Sequence, residues 1–76
     1  MKTQFVKMGA VSDITTFVKI ASSIDGDILV KKGRYCIDGK SLMGMFSLDL
    51  TNGAIVEYPE DAIELENFLI NYKVAE

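Results

Sequence analysis

Residues 26–48 read GDILVKKGRYCIDGKSLMGMFSL, and the way this stretch folds determines how the rest of the chain is arranged. Ile28, Leu29 and Val30 favour an extended strand. Lys32-Gly33-Arg34 supplies a tight turn and Tyr35-Cys36-Ile37 starts a return strand, so residues 27–38 predict a β-hairpin. Asp38-Gly39 closes it. Ser41 then stands where a helix N-cap belongs, ahead of Leu42, Met43, Met45, Phe46 and Leu48. The spacing predicts a short helix ending near Ser47, and Gly44 inside it limits it to about two turns. Such a helix cannot bury every apolar side chain it carries.

Outward from this centre, the elements come in a regular order. Gln4 to Met8 alternates loosely and predicts a first strand, broken by Gly9. Ser12-Asp13 offers an N-cap for a helix over residues 13–24, with Ile14, Phe17, Val18, Ala21 and Ile24 on one stripe. Asp25-Gly26 ends it, Gly26 suiting a left-handed position after the helix. Downstream, Thr51-Asn52-Gly53 predicts a turn. Ala54 to Tyr58 predicts a strand with Ala54, Val56 and Tyr58 on one face, and Pro59 stops it. Asp61 is the expected cap of a last helix. Ala62, Leu65, Phe68, Leu69 and Tyr72 form its buried stripe, with Glu60, Glu64 and Glu66 facing water. The order is β-α-β-β-α-β-α, an α+β arrangement in two layers. Residues 1–76 form a single expected domain with no repeat or linker.

The inventory of reactive groups is short. The chain has no histidine, which removes the commonest general base, proton shuttle and metal ligand. One cysteine without histidine leaves no zinc site and no Cys/His pair. Gly39-Lys40-Ser41 echoes the end of a phosphate-binding loop, yet the required earlier glycine falls at Arg34. Cys36 reads as a structural thiol within a strand. An enzyme is therefore not expected, and neither is a metal or other cofactor.

Charge and hydropathy narrow the partners. Net charge is −3, divided as +2 over residues 1–50 and −5 over residues 51–76. An acidic chain without a basic face or aromatic platform is not expected to bind nucleic acid. Lys31, Lys32, Arg34 and Lys40 are the candidates for one local basic patch facing an acidic protein. No apolar run reaches the roughly 18 residues of a membrane span, and MKTQFVKMGA has no signal-peptide core. A cytoplasmic location and no membrane partner are expected.

Over residues 40–48, KSLMGMFSL resembles the K-S-[IL]-M-G-x-x-S-L segment of HPr, the small phosphocarrier of the bacterial sugar phosphotransferase system. FVKIAS is similar to the end of the HPr first helix, GDILVKKGRYCIDGKS to its central hairpin and NGAIVEY to its last strand. The likeness spans roughly residues 10–74. It implies an open-faced β-sandwich with four antiparallel strands in the order 1-4-2-3 and helices on one face.

The same resemblance exposes a departure. HPr carries phosphate on a histidine at the start of its first helix, within G-[LI]-H-A-R-P. Aligned from Ser41, that histidine falls at Ala10, and the arginine and proline after it fall at Ser12 and Asp13. Alanine cannot accept phosphate, so carrier activity is expected to be lost. Ser41 matches the serine that an ATP-dependent kinase phosphorylates in Gram-positive HPr and its catabolite-repression homologue, and that homologue also lacks the active histidine. The resemblance thus implies a regulatory module phosphorylated at Ser41. Lys40, Leu42, Met43 and Phe46 would be its partner-binding residues. A kinase of the HPr type, a transcription regulator or phosphotransferase components would be its partners. Two alternatives stay open: an HPr-fold protein with an unrelated interaction role, and a carrier using another acceptor such as Cys36.

Overall fold

The computed structural model describes residues 1–74. Its elements are β1 (Lys2–Val6), α1 (Val11–Ser22), β2 (Leu29–Lys32), β3 (Tyr35–Asp38), α2 (Leu42–Ser47), β4 (Ala54–Tyr58) and α3 (Ile63–Leu69). The strands form one antiparallel sheet in the order β1-β4-β2-β3. This is the expected α+β fold.

Strand alternation divides the side chains between two faces. Val6, Val30, Ala54, Val56 and Tyr58 point to one side and are buried with Ile14, Phe17 and Ala21 of α1, Met45 of α2, and Leu65 and Leu69 of α3. The helices therefore cover one face. On the open face lie Thr3, Phe5, Leu29, Lys31, Cys36, Asp38, Ile55 and Glu57. Lys31 and Glu57, diagonal neighbours there, form an ion pair at 2.8 Å.

The hairpin turn is Gly33-Arg34, with Lys32 opposite Tyr35. Gly33 has φ 59° and Arg34 a negative φ, the pattern of a two-residue turn with glycine first, whose twist matches the flanking strands. The chain beyond α3 returns along β1. Lys73 bridges Val6, the Lys7 N–H donates to the Tyr72 carbonyl and the Val74 N–H to the Phe5 carbonyl. That segment covers the outer edge of β1, whereas β3 is the terminal strand on the other side.

The helix starts differ from the sequence reading. α1 begins at Val11 with Ala10 as N-cap and no side-chain cap, so Ser12-Asp13 lies inside the first turn. The Asp13 carboxylate is engaged elsewhere, accepting a 2.6 Å hydrogen bond from the Tyr72 hydroxyl. α1 ends at Ser22, and the Ser23 hydroxyl donates to the Ile20 carbonyl at 2.7 Å. Gly26 does adopt φ 110°, but in the loop that follows rather than next to the helix. In α3 the N-cap is Ala62, because Asp61 is taken up in the turn after Pro59. The first strand lies two residues earlier than the alternation at Gln4–Met8 implied. Met8 is nonetheless buried, and its N–H donates to the Leu50 carbonyl.

Candidate functional site

The site is built from the end of the hairpin into α2. The Gly39 N–H donates to the Ile28 carbonyl at 2.7 Å, the Lys40 N–H to the Asp38 side chain at 2.9 Å, and the Ser41 N–H to the Asp38 carbonyl at 3.0 Å. The first bond holds the exit from β3 against the residue preceding β2, and the other two shape the turn into α2. A Cβ at position 39 would lie 2.7 Å from Ile28 Cγ2, so only glycine permits this close approach.

Ser41 is the N-cap of α2. Its backbone is extended, φ −96° and ψ 112°, and its hydroxyl oxygen accepts from the Gly44 N–H at 3.1 Å. The hydroxyl thereby satisfies one of the amide donors left free at a helix start. Ser41 itself is half-buried, within reach of solvent.

The six-residue helix separates its apolar residues by face. Met45 is fully buried in the core and Leu48 packs partly against it. Leu42 and Phe46, one helical turn apart, are 43% and 44% exposed, and Met43 is 85% exposed. Ser41 thus stands at the head of a short apolar face turned to water.

Lys40 lies elsewhere than a place beside Ser41 requires. Its ammonium donates to the Ile24 carbonyl at 2.7 Å, tying the hairpin to the loop after α1. The expected basic patch is dispersed for the same kind of reason. Lys31 is paired with Glu57 on the open face, Lys32 donates to the Asp49 carbonyl, and Arg34 is exposed at the turn. Alternation along β2 sends Lys31 and Lys32 to opposite faces.

Ala10 occupies the N-cap of α1, the helix that packs against α2. It is exposed, as is Ser12, and it presents only a methyl group. Next to it Val11 is 66% exposed, an apolar surface residue that the helical pattern of residues 13–24 passed over. The Asp13–Tyr72 hydrogen bond raises the Tyr72 phenol above its usual titration range, burial adding to it. Cys36 is exposed on β3 rather than enclosed, because it sits on the uncovered face of the terminal strand. Among the described residues, no group of three metal-binding side chains forms, and no helix is long and apolar enough to cross a membrane.

The family model described as "PTS HPr component phosphorylation site" matches residues 13–59, well over half of the chain. The chain belongs to the HPr family. The matched span contains Ser41 and starts beyond Ala10. Two solved HPr structures share the fold. A phosphocarrier protein HPr from Bacillus anthracis str. Ames is 22% identical, with 95% of this chain and 96% of that one covered and a TM-score of 0.68. HPr-C-His from Thermoanaerobacter tengcongensis is 26% identical, with 93% of each chain covered and a TM-score of 0.72. A comparison with curated proteins found no significant match. Within the HPr fold, the Lys40–Gly44 segment and the N-cap serine were readable from sequence. The exposure of Val11 and Cys36 depends on how the elements pack and carried no sequence signal.

Proposed function

We propose that this HPr-family chain is a cytoplasmic, carrier-inactive regulatory module that binds protein partners and is switched by phosphorylation of Ser41. The observation that carries the reading is a serine hydroxyl at the head of an exposed apolar face, in a chain without histidine. Phosphohistidine needs an imidazole nitrogen, and the N-cap of α1 offers the methyl group of Ala10 instead.

Transfer of the ATP γ-phosphoryl group to Ser41 Oγ, with release of ADP, would add nearly two negative charges beside Leu42, Met43 and Phe46. The Gly44 N–H already donates to that oxygen, and the other amides at a helix start have no partner within the helix, so the helix would be retained. The change falls on partner preference rather than on the fold. The candidate partners are a kinase of the HPr type, a transcription regulator and components of the phosphotransferase system. The chain itself acts as a binding protein, not an enzyme.

The test is incubation of the purified protein with an HPr-type kinase and ATP, read by intact mass. Addition of one phosphoryl group, abolished by Ser41→Ala, is the expected result. An unmodified wild type would remove the switch and leave an HPr fold with some other interaction role. Incubation with phosphoenolpyruvate and the general phosphotransferase enzyme should leave the chain unlabelled; label on Cys36 would make it a carrier.

A further inference from the structure

The helices cover one side of the sheet, but not as far as the hairpin tip. Lys32 stands opposite Tyr35 and Val30 opposite Ile37, so Lys32, Tyr35 and Ile37 share the helix side with the buried Val30. α2 lies over Ile37, whose Cβ would be 3.7 Å from a Cβ at Gly44. From Ile37 the strand reaches two residues further toward the turn, about 7 Å, to Tyr35. α2 meanwhile ends at Ser47 and gives way to Leu48 and Asp49. A cleft of about 670 Å³ separates that end from the hairpin, with the Gly33-Arg34 turn at its rim. The volume falls in the range of small-molecule sites.

The lining decides what fits. Ile37 and Leu48, both half-buried against the core, and the exposed Tyr35 ring make the apolar walls. Lys32, Arg34 and Asp49 supply two positive charges and one negative, which leaves one positive charge in excess. Two of these groups are engaged. The Lys32 ammonium donates to the Asp49 carbonyl, and the Asp49 carboxylate accepts from the Thr51 N–H at 3.0 Å. Arg34 has no ion-pair partner among the described residues. Its guanidinium presents parallel donors that match a carboxylate, and Tyr35 offers a ring for offset stacking. A doubly charged phosphate ester would exceed the single excess charge and stand against Asp49.

We propose that this cleft binds a small aromatic carboxylate, its ring between Tyr35 and Leu48 and its carboxylate on the Arg34 guanidinium. Neither Ser41 nor the exposed residues Leu42, Met43 and Phe46 line the cleft, so the ligand and a protein partner on α2 do not compete for the same side chains. The cleft is open to water, and an exposed ion pair adds little affinity. Binding is therefore weak, with a dissociation constant on the order of 1 mM.

Titration with 2-naphthoate, followed through the backbone amide signals in NMR, tests this. Saturable shifts should appear at residues 33–37 and 47–49. 2-Naphthamide has the same ring without the charge and should bind about threefold more weakly. Acetate has the charge without the ring and should not saturate over the same range. 2-Naphthyl phosphate should bind no more tightly than 2-naphthoate. Arg34→Gln changes an exposed turn residue and should weaken 2-naphthoate while leaving 2-naphthamide unchanged, so that their ratio shrinks toward one. That ratio reads the ion pair itself, which a general disturbance of the hairpin would not move. A wild type that shows no saturation by 2-naphthoate up to about 10 mM overturns the proposal. So do shifts centred outside the cleft, acetate that saturates equally, a phosphate ester that binds more tightly, or an Arg34→Gln protein in which the ratio is unchanged.

Discussion

The Tyr58 hydroxyl donates to the Glu66 carboxylate at 3.0 Å, and the Lys2 ammonium reaches the same oxygen at 2.9 Å. This links the far end of β4, the start of β1 and the middle of α3. The Lys2 and Tyr58 hydrogen bonds hold the Glu66 carboxyl below the usual glutamate range. A carboxylate kept ionised by the fold stabilises it above about pH 4.3, and that contribution disappears as pH falls through the folded-state value. The thermal midpoint is therefore expected to fall from pH 5 to pH 3, and to fall less steeply in Glu66→Gln. Asp49, lowered by its bonds from Thr51, supplies part of the remaining slope. Lys2, raised by the Glu66 hydrogen bond, and Tyr58, raised by burial, act at the other end. Their contribution is complete below about pH 10 and is lost as pH rises beyond it. Equal slopes for wild type and Glu66→Gln in acid would contradict this assignment.

Ser41→Ala removes the side-chain acceptor of the Gly44 N–H. Loss of an N-cap costs about 1 kcal/mol, which lowers the midpoint of a domain of this size by about 4–8 °C. Ser41→Asp keeps an acceptor and should stay near wild type. Thermal melts of the three proteins decide it, and an unchanged Ser41→Ala would mean that the cap contributes nothing.

Met43 and Met45, both on α2, should respond in opposite ways. Met43→Ala, at an exposed position, should change stability by less than about 0.5 kcal/mol. Met45→Ala opens a cavity in the core and should cost about 2–5 kcal/mol. Urea unfolding of both variants is the measurement, and similar losses would mean that α2 buries both side chains.

Gly53 faces the ring of Phe5. It has φ 105°, and a Cβ there would lie 2.3 Å from Phe5 Cζ. Gly53→Ala should therefore cost at least about 1–3 kcal/mol from the backbone alone, with a further loss from displacing the ring. Phe5→Leu in the Gly53→Ala background should recover the steric part only. A Gly53→Ala protein as stable as wild type by urea unfolding would show that the turn relaxes.

Much of this fold was legible because local and long-range demands agree. The strand Ala54–Tyr58 alternates strictly, Gly33 stands where the hairpin turn needs a positive φ, and Ser41 has a free helix start to cap. The errors arise where distant partners decide. Asp13 has the chemistry of a cap, but Tyr72, 59 residues away, takes its carboxylate. Glu66 lies on what reads as a solvated helix face, yet β1 and β4 bring Lys2 and Tyr58 to it. Lys40 is next to Ser41 in the chain and bonded to Ile24 in space. Cys36 carries the pattern of a strand residue, and only the strand order puts that strand at the border of the sheet.

The clasp around Gly39 has a bearing on how Ser41 can be approached. Its amide and those of Lys40 and Ser41 are each spoken for by the residue preceding β2 or by the turn, and the Lys40 ammonium is anchored on a third segment. The backbone that carries the hydroxyl cannot peel away from the domain without opening the end of the hairpin. A synthetic peptide copied from residues 36 to 47 would carry the serine but not its setting. A kinase of the kind proposed would meet Ser41 as part of a folded surface rather than of an extended segment.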